Sequence, residues 1–196
     1  MSLWRRRLRS AGDGSFEVRL PRDERALLGR LPAELDELLG RLAEASSPVP
    51  EALRRLFPVA YPTDPVAEEN FAQIARGEVL RAHREALGVL AETASATRLT
   101  SEQLAGWLAA LNELRLVLGT ALGVSEESVP PAPADPSFGQ WALYGYLSLL
   151  VEDVVAALSG QLPPPVPGAD EAVPEDSWGE PPGGLRWDGT PVPKGP

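Results

Sequence analysis

A single stretch, LTSEQLAGWLAALNELRLVLGTALGV (Leu99 to Val124), constrains this chain more than any other. Thr100 suits the cap of a helix, and Gln103 three residues on completes a capping box. Gly123 stands where such a helix should stop. Between them Leu104, Trp107, Leu108, Leu111, Leu118 and Leu122 recur at helical spacing on one face. One residue on that face is charged. Arg115 lies four after Leu111 and three before Leu118, and a guanidinium aimed at a core needs a carboxylate or carbonyls to offset its desolvation. The chain must therefore build an α-helical core around this stretch and supply Arg115 with a partner.

The rest of the 196 residues divides around that helix. Gly12-Asp13-Gly14 is a turn, and beyond it Phe16, Val18 and Leu20 alternate with Glu17 and Arg19. That pattern predicts a short N-terminal β-hairpin. Pro21 opens a helix whose stripe (Leu27, Leu28, Leu31, Leu35, Leu38, Leu39, Leu42) keeps its phase across Pro32, so a kink or a tight junction is expected there. Glu51 to Phe57 is at most a short helix. FPVAYPTDP (Phe57 to Pro65) is stiff and extended, and its Asp64-Pro65 caps the next helix. That helix carries Phe71 and Ile74 and is expected to break at Gly77. A further helix through Val79, Leu80, His83, Leu87 and Leu90 ends near Thr93.

Ser137 to Ser159 forms the last helix, apolar nearly all round, as a central or interface helix would be. Glu152 and Asp153 interrupt it, which argues against a bilayer span. Residues 161–196 hold ten prolines and six glycines, a composition that cannot form a core. The expected architecture is mainly α. One bundle of about five helices with the hairpin fills residues 1–160, and a disordered acidic tail fills 161–196. Trp178 and Trp187 in that tail are a candidate docking motif.

Charge and residue types exclude several functions. Residues 1–30 are net +4, residues 31–160 net −10 and the tail net −4. An acidic body argues against broad binding to nucleic acid, which phosphate neutralisation drives; the Arg-rich start (Arg5, Arg6, Arg7) keeps a DNA-binding alternative open. The chain has no cysteine, so it has no disulfide, thiolate zinc site or thiol switch. No signal peptide is read, because Trp4 to Arg9 is too charged and no apolar run follows; a cytoplasmic protein is expected. The single histidine, His83, sits on an apolar stripe and reads as a half-buried core residue. No phosphate loop, dinucleotide fingerprint, nucleophile elbow or zincin motif is present. Neither catalysis nor a cofactor or metal site is expected. Of the acidic pairs, Glu68-Glu69 and Glu126-Glu127 read as solvated, whereas Glu152 or Asp153 is the expected partner of Arg115.

Three segments together resemble a known family: RLFPVAYPTDPVAEENF, LTSEQLAGWLAALNELRLVLGTALGV and WALYGYLSLLVEDVVAAL. They resemble the actinobacterial AosR family of oxidative-stress-response regulators, formerly a domain of unknown function, over about residues 4–160. The resemblance implies a helical, non-enzymatic regulator of the transcriptional response to oxidative stress. It would act through contacts with a transcription factor or the transcription machinery. Thiol sensing, natural for such a regulator, is closed to a chain without cysteine, and Met1 is its only methionine. Within the matched segment Asn112, Arg115, Gly119 and Thr120 are the positions to test. On packing alone, Gly119 would allow close helix approach and Asn112 would bond backbone. A self-associating scaffold, a homodimer through the closing helix, is the remaining alternative.

Overall fold

In the computed structural model, residues 7–42 and 48–160 are described. The hairpin forms as its alternation dictates. β1 (Leu8–Ser10) pairs antiparallel with β2 (Ser15–Val18), Leu8 opposite Val18 and Ser10 opposite Phe16. Gly12 and Gly14 hold φ of 83° and 81° around Asp13, the left-handed region where a side chain would be strained. Phe16, Val18 and Leu20 are buried.

A third strand, β3 (Arg98–Thr100), adds to the other edge of β2 to give the order β1-β2-β3. Three residues leading straight into a helix carry no alternation long enough to be read from sequence. Thr100 ends this strand and also caps α3 (Ser101–Ala121). The capping box is complete, with Gln103 N donating to Thr100 Oγ1 at 3.1 Å and Thr100 N to Gln103 Oε1 at 2.9 Å.

α1 (Arg22–Gly40) runs through Pro32 without interruption. Burial of Leu28, Leu31, Leu35 and Leu39 on one stripe offsets the one backbone bond that a proline removes. The expected break at Gly77 does not occur, and α2 is one helix of 29 residues, Pro65–Thr93. A helical glycine costs only about 1 kcal/mol relative to alanine. Just beyond it, Arg81 is ion-paired to both Glu78 and Glu85 along the same exposed face. The described residues therefore hold four α-helices and one 3-10 turn (Glu51–Leu53).

α3 lies between α2 and α4 (Phe138–Ser159). Two glycines set its distances from them. A Cβ on Gly106 would come within 2.8 Å of Val89 on α2, and one on Gly119 within 2.9 Å of the Tyr144 ring on α4. Gly119 thus does allow close approach. Gly119→Val is expected to lower stability by about 1–3 kcal/mol through overpacking, read as the urea midpoint. Gly145→Ala, on the same α4 but with nothing within 4 Å of the new methyl, should leave it unchanged or raise it.

α4 is neither central nor evenly buried. Leu147, Leu150 and Val154 face the core, whereas Phe138, Leu149 and Val155 are exposed. By length and composition it is the one helix among the described residues apolar enough to cross a membrane, its two acids notwithstanding. Polar ties bind it to the rest of the fold. The Tyr146 hydroxyl donates to Glu24 of α1 at 2.7 Å, and Asp153 pairs with Arg7 beside β1 at 3.4 Å.

Candidate functional site

FPVAYPTDP is held rigid by its own sequence and by the helix it caps. Asp64 Oδ1 accepts from Val66 N and Ala67 N. One turn on, Glu68 Oε2 accepts from Ala60 N at 2.9 Å and Tyr61 N at 2.8 Å. Glu68, expected to be simply solvated, thus pins the extended segment to the start of α2. Between this segment and α2 lies a cleft of about 270 Å³, lined among others by Val49, Phe57, Val59, Phe71, Ala75 and Val79. Its rim is apolar and open to solvent. Tyr61 stands edge-on to Phe71 with ring centroids 5.9 Å apart, and Val59 on the cleft lining is 62% exposed. Large apolar side chains grouped on a surface in this way mark interaction sites.

Beneath the cleft sits the single histidine. His83 Nδ1 lies 2.9 Å from Glu113 Oε1 of α3, Nε2 lies 3.4 Å from the Leu56 carbonyl, and Phe57 meets the ring edge-on at 5.4 Å. Among the described residues Glu113 is the one buried charged side chain in the core, and its Oε2 has no partner there. The Glu113 hydrogen bond raises the His83 pKa above its ordinary 6.5, against the opposing effect of burial. Glu113 was not singled out from sequence, although it is an acid between the buried Ala110 and Leu114. Its signal was masked by Arg115, two residues away on the opposite face.

The expected pairing of Arg115 with Glu152 or Asp153 is not formed. Arg115 Nη2 donates instead to Asn112 Oδ1 at 2.8 Å, one turn back on α3. Asn112, expected to bond backbone, spends its carbonyl on the guanidinium, and among the described residues the buried Arg115 Nε has no partner. Asp153 is taken by Arg7, which also lies 3.6 Å from Glu24; Glu152 is exposed. Arg7 reaches both acids because β1 runs beside α4, whereas Arg115 makes only a local bond to Asn112. Thr120 Oγ1 donates back to Leu116 O at 2.8 Å. Of the four positions, Gly119 faces α4 at Tyr144, while Asn112, Arg115 and Thr120 make bonds within α3. Arg5, Arg6 and the tail residues Trp178 and Trp187 lie outside the described residues. Among the described residues no group of three or more His, Cys, Asp or Glu is placed to hold a metal.

Fold and cleft together define a mainly helical domain with an apolar cleft open to solvent. The family model described as a domain of unknown function (DUF2017) matches residues 1–158, and the chain belongs to that family. It is similar to the oxidative stress regulator AosR of Mycobacterium tuberculosis, at 30% identity over 146 residues, covering 65% of this chain and 67% of the relative. The oxidative stress regulator AosR of Mycobacterium bovis matches at the same identity and coverage. The chain and these regulators are thus related members of one family. No solved structure matches the chain.

Proposed function

We propose that this protein is a non-enzymatic regulator of the oxidative stress transcriptional response. It acts in the cytoplasm by binding a transcription factor or a subunit of the transcription machinery through the α2 cleft. The relationship to proteins named oxidative stress regulators supports the regulatory part. The observation that carries the contact is the exposed Val59 and Phe71 on the lining of an apolar cleft, with Tyr61 edge-on to Phe71, the composition from which binding hot spots are built. A chain without cysteine carries no thiol sensor of its own, so oxidant information reaches it through the partner or through its abundance.

The test is a crosslinking pull-down from cells with and without oxidant, comparing the unaltered chain with a Val59→Glu, Phe71→Ser variant. Both substitutions lie on exposed positions and leave the core intact. A component of the transcription apparatus should be recovered with the unaltered chain and fall at least about tenfold with the variant, since loss of one hot spot costs about 2 kcal/mol or more. Recovery of the chain alone under both conditions overturns this reading. That outcome would favour self-association through the outward apolar residues of α4, Leu149 and Val155.

A further inference from the structure

Both ring nitrogens of His83 face acceptors, the Glu113 carboxylate on one side and the Leu56 carbonyl on the other. A neutral imidazole has one N–H and satisfies only one of them; the imidazolium satisfies both. We propose that protonated His83 is a latch that fastens the Leu53–Ala60 wall of the cleft to α2 and α3, so that loss of its proton loosens that wall.

Among the described residues, few other polar contacts join the wall to the helices. Leu53, Leu56 and Phe57 donate their amides within their own turn, to Pro50 and Leu53 carbonyls. Glu68 holds the wall at its far end, at Ala60 and Tyr61. Burial of Leu53 and Leu56 supplies the apolar contact, and the His83–Leu56 bond is the polar link between them and α2. Of the charges on the packed elements, Arg76 of α2 lines the cleft beside Leu56 and Phe57. Glu113 on α3 touches the ring. On α2 Arg84 is bound to Asp36, on the wall Arg54 is bound to Glu51, and Arg55 is exposed.

The direction follows from linkage. The folded pKa of His83 lies above its unfolded value. The latch therefore contributes fully below about pH 6.5 and is lost as pH rises through the folded pKa. Deprotonation also leaves the buried Glu113 carboxylate, whose Oε2 is already unpartnered, facing a neutral ring. The latch stands on this geometry alone. Only its effect on partner capture rests on the function proposed above.

His83 is the chain's only histidine, so a proton NMR titration of imidazole signals reads it without assignment. The midpoint should lie above 6.5 and fall to 6.5 or below in Glu113→Gln. Hydrogen exchange at Leu53, Leu56 and Phe57, corrected for the intrinsic rate at each pH, should lose about tenfold protection as pH crosses that midpoint, while the α3 core from Leu104 to Leu111 keeps its protection. In His83→Gln the protection of the wall should not depend on pH. If that variant does not fold, Glu113→Gln serves in its place, with its transition moved to lower pH. A wild-type midpoint at or below 6.5, or wall protection flat across the midpoint, overturns the latch. Failure of the unaltered chain to capture a partner, with the latch titrating as expected, would instead count against the cleft as the contact surface.

Discussion

Trp107→Ala is expected to lower the unfolding free energy by about 3–5 kcal/mol, seen as a fall in the urea midpoint at unchanged slope. Trp107 is fully buried on the α2-facing side of α3, the largest side chain in the core. Its Nε1–H donates to Thr93 Oγ1 at 2.7 Å, and the Thr93 hydroxyl in turn bonds the Val89 carbonyl. The indole thereby locks the last turn of α2 to α3. Truncation opens a cavity between two rigid helices that cannot collapse into it, since Gly106 and Val89 already fix their separation. Domains of this size have about 5–15 kcal/mol in all, so the variant would lose a large share of its stability. Trp107→Phe keeps most of the volume and loses the N–H. It should cost about 1–2 kcal/mol, and an equal loss in the two variants would show that the hydrogen bond, not the volume, carries the effect.

Arg25→Met is expected to cost about 2–3 kcal/mol, in the range of hydrogen bonds to a charged group. Arg25, on the first turns of α1, spreads its guanidinium over four carbonyls. Nε donates to Leu20 O at 2.9 Å, Nη2 to Val18 O at 2.8 Å, and Nη1 to Ser95 O at 3.0 Å and to Ala96 O. Those carbonyls belong to the exit of β2 and to the turn between α2 and β3. Arg25 therefore holds the open end of the sheet against the bundle. Methionine keeps the stem and removes the fork. Arg25→Lys, with a single point donor, should recover less than half of the loss. Thermal unfolding with near-ultraviolet circular dichroism measures both variants, and a midpoint within about 1 °C of wild type for Arg25→Met would refute the role.

These two residues show what was legible. Trp107 stands out from spacing alone, because an amphipathic helix displays its buried face along the chain. So do the hairpin, the capping box of α3, the Asp64 cap and the close packing at Gly119. Each depends on residues within four or five positions of one another, or on a residue type with one physical use. What the sequence hides is pairing at a distance. A guanidinium on a core face was legible at Arg115, but its expected carboxylate belonged to Arg7, more than a hundred residues earlier. Arg25 gives no sign of its role in the sequence, since its acceptors are backbone carbonyls that carry no sequence signature. His83 read as a half-buried core residue, and nothing in the spacing to Glu113, thirty residues on, marks the two as partners. The cleft was only half visible. FPVAYPTDP could be read as stiff, but the surface it presents exists only once Glu68 has folded it against α2.

The direct passage from β3 into α3 through Thr100 has a consequence for synthesis. β2 pairs with β3 across more than eighty residues, Phe16 opposite Leu99. At about 5–20 residues per second, a ribosome needs roughly 4–16 s to deliver the partner strand after the hairpin has emerged. For that interval β2 has an unpaired edge, the kind of template that recruits other chains. Its alternation puts Glu17 and Arg19 outward, ion-paired with each other at 2.7 Å, and Arg9 stands opposite Glu17 on β1. The nascent hairpin thus carries its own charged guard, and the arrival of Thr100 closes the sheet and starts α3 in one event.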